Sequence, residues 1–148
     1  MLPDAIDMCD IETREGYVTI LMLLAGSDGR LVREETAAIE AAMGRAMIKP
    51  ERRIALRQAL IRAPPLESIT RGMQSRGVKL ALRDAILVAA CDGDFQTEEI
   101  ELIGKIAEAA DVDEDILAQL FDWAGRGWDW LAESRMMLDI PLPSEIVD

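Results

Sequence analysis

The chain has 148 residues and a mass of 16.4 kDa, the size of one ordinary domain, which buries roughly 70% of its unfolded surface and needs no metal or disulfide staple. Half the residues are hydrophobic, 30% are charged and none is histidine, which excludes wholesale disorder, His-dependent nucleophile systems and His-bearing zinc or di-iron sites. Acidic residues outnumber basic ones 28 to 16, a formal charge of −12, so nucleic acid and anionic lipid are poor partners while cations and basic protein faces are better ones.

Taken in chain order, Met1-Leu2-Pro3-Asp4 carries no basic segment, so no secretory signal is expected. Val18, Leu21, Met22, Leu24 and Ala25 follow helical spacing and lead into Asp28-Gly29, where glycine can end a helix in the left-handed region. Ile39, Ala42, Met43, Ala46 and Met47 form the stripe of the next helix. Lys49-Pro50-Glu51 reads as a stop and a restart, with Pro50 near the first helical position. That helix runs to about Ile61 and ends at Ala63-Pro64-Pro65. A short helix from Leu66 to Met73 follows, and Gly77 precedes the next pattern. Leu82, Ala85, Ile86, Val88 and Ala89 repeat the helical spacing up to Asp92-Gly93, with Thr97 as an N-cap candidate. Ile100, Ile103, Ile106, Ala107 and Ala110 make the succeeding stripe. Asp111-Val112-Asp113 caps a helix to about Trp123, Gly125-Arg126-Gly127 breaks it, and a last helix runs from Trp128 to Leu138. Two prolines keep the tail extended. No segment alternates with period two and no apolar run approaches the roughly 18 residues of a membrane span, so the expected fold is all-α, with six to eight helices and no spanning segment.

The pattern is doubled. Ala25-Gly-Ser-Asp28-Gly29-Arg-Leu31-Val-Arg-Glu34-Glu35 runs on to Ile39, and 64 positions later Ala89-Ala-Cys-Asp92-Gly93-Asp94-Phe95-Gln-Thr-Glu98-Glu99 runs on to Ile103, with six of fifteen positions identical. Such a period marks a duplicated unit, not a short-repeat solenoid. One expected domain therefore spans 1–148, with half one at about 11–62, a linker at about 63–76, half two at about 77–138 and a tail at 139–148.

The acids at the two turns admit two readings. In the first, Asp closes the turn, Gly turns the chain, and the Glu pair complements the positive end of the next helix. In the second, the copies face each other, and Asp28, Glu34, Glu35, Asp92, Asp94, Glu98 and Glu99 gather an oxygen-rich site for Ca²⁺ or Mg²⁺. A standard EF-hand is rejected. Aligning Gly29 with the loop glycine fits Asp28 and Glu35, but the first and third ligand positions fall on Leu24 and Gly26, or on Val88 and Ala90.

The paired pattern Ala-x-x-Asp-Gly-x-[Leu/Phe]-x-x-Glu-Glu-x-x-x-Ile at 25–39 and 89–103 resembles the TerB family of tellurite-resistance proteins, over about residues 15–122. The resemblance implies a helical bundle with a pseudo-twofold between its halves, in a cytoplasmic protein of bacterial origin. It further implies a role in resistance to tellurite and other stresses, divalent cation binding through acidic residues, and an integral membrane protein of the same system as partner. The motif acids that match are Asp28, Glu34, Glu35, Asp92, Glu98 and Glu99, with Asp94 following the charge trend; Arg30 and Arg33 weaken the first copy as a cation site.

Three further features stand outside the motif. Trp123, Trp128 and Trp130 hold half of the six aromatics within eight residues, as a partner-binding anchor or as a plug at the bundle's end. Lys49, Arg52, Arg53, Arg57 and Arg62 make a basic helix face, solvated and paired with acids or docking an acidic partner. Cys9 and Cys91, with no CxxC pairing, read as small hydrophobes of a reducing compartment. No phosphate loop or oxyanion hole is apparent, so enzyme activity is not expected. A metal-free interaction scaffold using the basic helix or the Trp-rich end is the alternative to the metal-responsive reading.

Overall fold

The structure, a computed structural model, describes residues 5–27, 29, 32–91, 94–142 and 145–146. Among them there are seven α-helices and no strand: α1 (Ile11–Ala25), α2 (Arg33–Arg45), α3 (Pro50–Ala59), α4 (Leu66–Arg71), α5 (Ser75–Ala89), α6 (Thr97–Ala109) and α7 (Glu114–Leu138). Single 3-10 turns at Ile6–Met8 and Leu60–Arg62 precede α1 and follow α3. The fold is all-α, and no described helix is long and apolar enough to cross a membrane.

The 64-residue period governs the backbone as well as the motif. Adding 64 to the bounds of α1 and α2 gives those of α5 and α6, and α3 and α7 start in the same register. Both α2 and α6 end alike. Met47 and Asp111 take left-handed φ angles of 53° and 56°, and the amides of Ile48 and Val112 donate back to the carbonyls of Met43 and Ala107, each at 3.0 Å. That reversal satisfies carbonyls a helix end would leave bare, and it turns the apolar residue just beyond toward the core, Ile48 buried and Val112 half-buried.

At the centre, α1 packs along α5. Tyr17, Val18, Ile20, Leu21 and Leu24 are fully buried, so α1 from Gly16 onward is apolar nearly all round, as a helix segment enclosed by others must be. The two helices meet at matched positions. The Asp10 amide donates to Gln74 Oε1 at 3.1 Å and the Gln74 amide to Thr13 Oγ1 at 2.9 Å. Residues 10 and 74 are the N-caps of α1 and α5, and 13 and 77 are likewise equivalent by the repeat. A Cβ on Gly77 would fall 2.0 Å from Thr13 Cγ2, so this crossing needs glycine on one side. Contact between equivalent positions is what a local twofold axis between the halves produces.

The halves diverge after their third helix. Following α3, Pro64 and Pro65 turn the chain, and α4 folds back between α1 and α6, with Leu66 buried and Ile69 and Met73 packed against the core. In the second half α7 runs on without a bend, as a helix of 25 residues. The expected break at Gly125-Arg126-Gly127 is therefore corrected. Glycine in an exposed helix interior costs about 1 kcal/mol, and α7 is held on both sides of the pair, by Leu117, Leu120, Phe121 and buried Ala124 before it and by half-buried Trp128 beyond it. Two smaller corrections concern helix ends. Gln96, not Thr97, is the N-cap of α6. Gly26 caps α1, while Gly29, at φ 75°, turns the chain further on.

Candidate functional site

The acidic turns show what their conserved spacing does locally. Glu35 and Glu99, the third residues of α2 and α6, are 5% and 4% exposed. Each carboxylate reaches back to accept the amide of its helix's N-cap, Val32 at 3.0 Å and Gln96 at 2.9 Å. This is the Glu half of a capping box, and it holds an orphan donor where the helix dipole favours negative charge. Val32 has no side-chain acceptor, so at α2 the carboxylate supplies the cap without a reciprocal bond. Glu34 is half-buried beside Arg33 at 3.6 Å, and Asp94 and Glu98 are exposed. Among the described residues no three His, Cys, Asp or Glu side chains converge as a metal site. Asp28 and Asp92, the turn aspartates of the predicted cation site, and the adjoining Gly93 and Leu31 lie outside the described residues.

A polar cluster that the sequence analysis missed lies at the seam of the halves. Asp84 on α5 is 4% exposed. It accepts the hydroxyl of Tyr17 from α1 in a short hydrogen bond and both Arg83 nitrogens, Nε at 2.7 Å and NH2 at 3.0 Å. From α2, Arg45 stands 3.6 Å from the carboxylate and donates to Tyr17 Oη at 3.1 Å. Burial, then the adjacent negative charge, push the Tyr17 phenol well above its ordinary range. The only sequence signal was an aspartate inside an apolar stripe, at the position where half one carries Ile20.

Beside this cluster lies a groove of about 490 Å³, with α5 as its floor and α2 and α7 as its walls. Ala38, Leu87, Val88, Trp128 and Leu131 give it apolar walls, and Arg45 and Asp84 give it one polar end. The three tryptophans divide their roles. Trp128 is half-buried, and its indole N–H donates to the Leu87 carbonyl at 3.2 Å, in the last turn of α5 where carbonyls lack helical partners. Trp123 and Trp130 are 40% and 70% exposed at the groove's rim. Trp128 thus packs inward, as a plug would, while Trp123 and Trp130 stay at the surface. Phe121, on the core side of α7, stacks edge-on against Phe95 of the second turn, centroids 5.0 Å apart.

The basic helix face is largely matched within the chain. Arg52 forks onto Glu15 at 2.7 and 2.8 Å and holds that carboxyl below its ordinary range, Arg57 pairs with Glu40, and Arg53 Nε donates to the Ile48 carbonyl at 2.8 Å. These contacts favour the intramolecular reading of α3. Cys9 is buried and Cys91 half-buried, as small hydrophobes would be.

Comparison with known proteins leaves these observations to stand by themselves: no family model, no curated protein and no solved structure matches the chain.

Proposed function

We propose that this chain is a non-enzymatic helical interaction module of the TerB-like type, which receives an amphipathic helix in the groove between α2 and α7. The observation that carries the reading is the groove itself, walled by apolar side chains and rimmed by Trp123 and Trp130, residues of the kind that dominate interface energetics. Non-enzymatic action is supported by the polar end of the groove. The Tyr17 hydroxyl is committed to Asp84, and burial beside that carboxylate keeps it protonated, so it supplies no general base. A stress-response role in the bacterial cytoplasm, with a membrane protein of the same system as partner, is part of this proposal through the TerB resemblance alone.

The test uses a panel of labelled helical peptides with apolar anchors at i, i+3 and i+7. Saturable binding to the wild type, lost in Gly127→Leu, supports the reading; Gly127 lines the groove and a Cβ there meets nothing within 4 Å. No binding across the panel rejects it.

A second reading, a divalent cation at the acidic turns, is favoured by the equivalent placement of Glu34 and Glu98 in the first turns of α2 and α6. Calorimetric titration of Ca²⁺ and Mg²⁺ tests it. Heats unchanged in Glu34→Gln/Glu98→Gln reject these two as ligands.

A further inference from the structure

The two halves handle equivalent surfaces differently. In half one, α4 fills the slot between α1 and α6. The repeat carries α1 into α5 and α6 into α2, so the counterpart of that filled slot is the one between α5 and α2, where the groove lies. It also carries α4, residues 66–71, onto residues 130–135. Those residues do not fold back; they continue along α7 and leave the groove open.

The segment that fails to fold back has an apolar face without a packing partner among the described residues. Trp123, Gly127, Trp130, Ser134 and Met137 recur at helical spacing, flanked by Leu131 and Leu138. Trp123, Trp130, Leu131, Met137 and Leu138 are 40 to 80% exposed. Side chains of that size on one face amount to several hundred Å², at or above the roughly 300–600 Å² at which a patch on a monomer marks an interaction site. It is a large part of the ~800 Å² per partner of a standard interface.

We infer that the groove is filled by a second copy of this chain, whose α7 segment around residues 130–135 takes in trans the place α4 takes in cis. The inference rests on the proposed docking role of the groove and names its occupant. Each α7 lies antiparallel on the other, an isologous pairing in which the same patch serves both sides. One charge pair suits that arrangement. Arg126, 3.8 Å from Asp122 of its own helix, shares a flank of the stripe with Glu133, and a crossing between residues 129 and 130 sets Arg126 of each copy beside Glu133 of the other, while the Asp129 carboxylates near the crossing add to the repulsion between copies. The arrangement also fits domain swapping, in which a segment straightened out of its own fold completes an identical neighbour. Two bodies of charge −12 repel, so the pairing strengthens as salt screens them.

Sedimentation equilibrium of the full chain, at low and at high ionic strength, gives the readout. A dimer that tightens with salt is expected, weakened about tenfold or more by Trp130→Asp, whose exposed site leaves the fold intact. Arg126→Glu and Glu133→Arg each loosen it, and their combination restores it. A monomer at every salt concentration, a dimer indifferent to Trp130→Asp, or a charge swap without rescue overturns the inference. A monomer that still binds the helical peptides overturns the second copy as occupant and leaves the docking role standing. A monomer that binds none of them removes both.

Discussion

Half one and half two share an element register over three helices and then part ways at the third helix's end. In half one the chain meets Pro64-Pro65, which cannot continue a helix, and α4 turns back to cover α1 and α6. In half two the equivalent stretch contains Trp128 and Asp129, with glycines nearby, and α7 proceeds as one long rod. The difference teaches that glycine and proline are not interchangeable as punctuation. Proline removes a donor and clashes with the preceding turn, whereas glycine merely lowers helical preference and yields to tertiary packing. A second contrast accompanies the first: Ile20 in half one stands where half two has Asp84, so the uncovered side of the molecule is also the polar one.

The largest expected effect comes from breaking that second contrast. Asp84→Ala leaves the Arg83 and Arg45 guanidiniums and the Tyr17 hydroxyl facing a gap, and loss of one partner from a buried ionic cluster costs about 3–5 kcal/mol. Urea unfolding followed by circular dichroism measures it; a loss below about 1 kcal/mol would mean the cluster behaves as if it were in open solvent. Adding Arg45→Ala to an Asp84→Ile variant, which gives each position the residue of its counterpart in the other half, Ala109 and Ile20, recovers part of the deficit.

Next in size is the matched crossing of α1 and α5. Gly77→Ala forces a methyl against Thr13 Cγ2 and is expected to destabilise by roughly 1–3 kcal/mol. Thr13→Ser removes that methyl and keeps the Oγ that accepts the Gln74 amide, so the double variant regains stability beyond the sum of the singles. Additive effects in thermal or urea unfolding would show that the crossing is slack.

The smallest effect sharpens the likeness of the halves. Glu35→Ala and Glu99→Ala each remove the acceptor of a buried N-cap amide, at about 1–2 kcal/mol apiece, and the two losses match within a few tenths of a kcal/mol. Divergent losses in paired unfolding curves would show that the equivalent geometry hides unequal environments.

Much of this molecule was legible before folding. The helical stripes, the restart at Pro50 and the doubled turns follow from local chemistry, because spacing, capping and turn preferences act within a few residues. The short helix after Pro65 was legible for the same reason. What escaped was long-range. Nothing near Asp84 in sequence announces Tyr17 or Arg45, which arrive from α1 and α2. Glu35 and Glu99 were weighed as cation ligands because a carboxylate at a helix start serves a cap and an ion with the same atoms; only their burial and the amides they hold separate the two. The straight course of α7 escaped the sequence because the contacts on either side of the glycines, Leu117, Leu120, Phe121 and Ala124 before them and Trp128 beyond, decide the matter and the glycines do not.

The hydroxyl–carboxylate link between Tyr17 and Asp84 has a consequence for how a tandem polypeptide avoids scrambling. Were two N-terminal units from separate molecules to associate, Tyr17 would meet Ile20 and its proton would find no acceptor. Were two C-terminal units to do so, Asp84 would keep Arg83 of its own helix but meet Ala81 where Tyr17 now donates, and a buried carboxylate would lose its hydroxyl donor and Arg45. Only the heterotypic union of N- and C-terminal units matches the donor to its acceptor, so this single asymmetric bond acts as a key that tells sister modules apart.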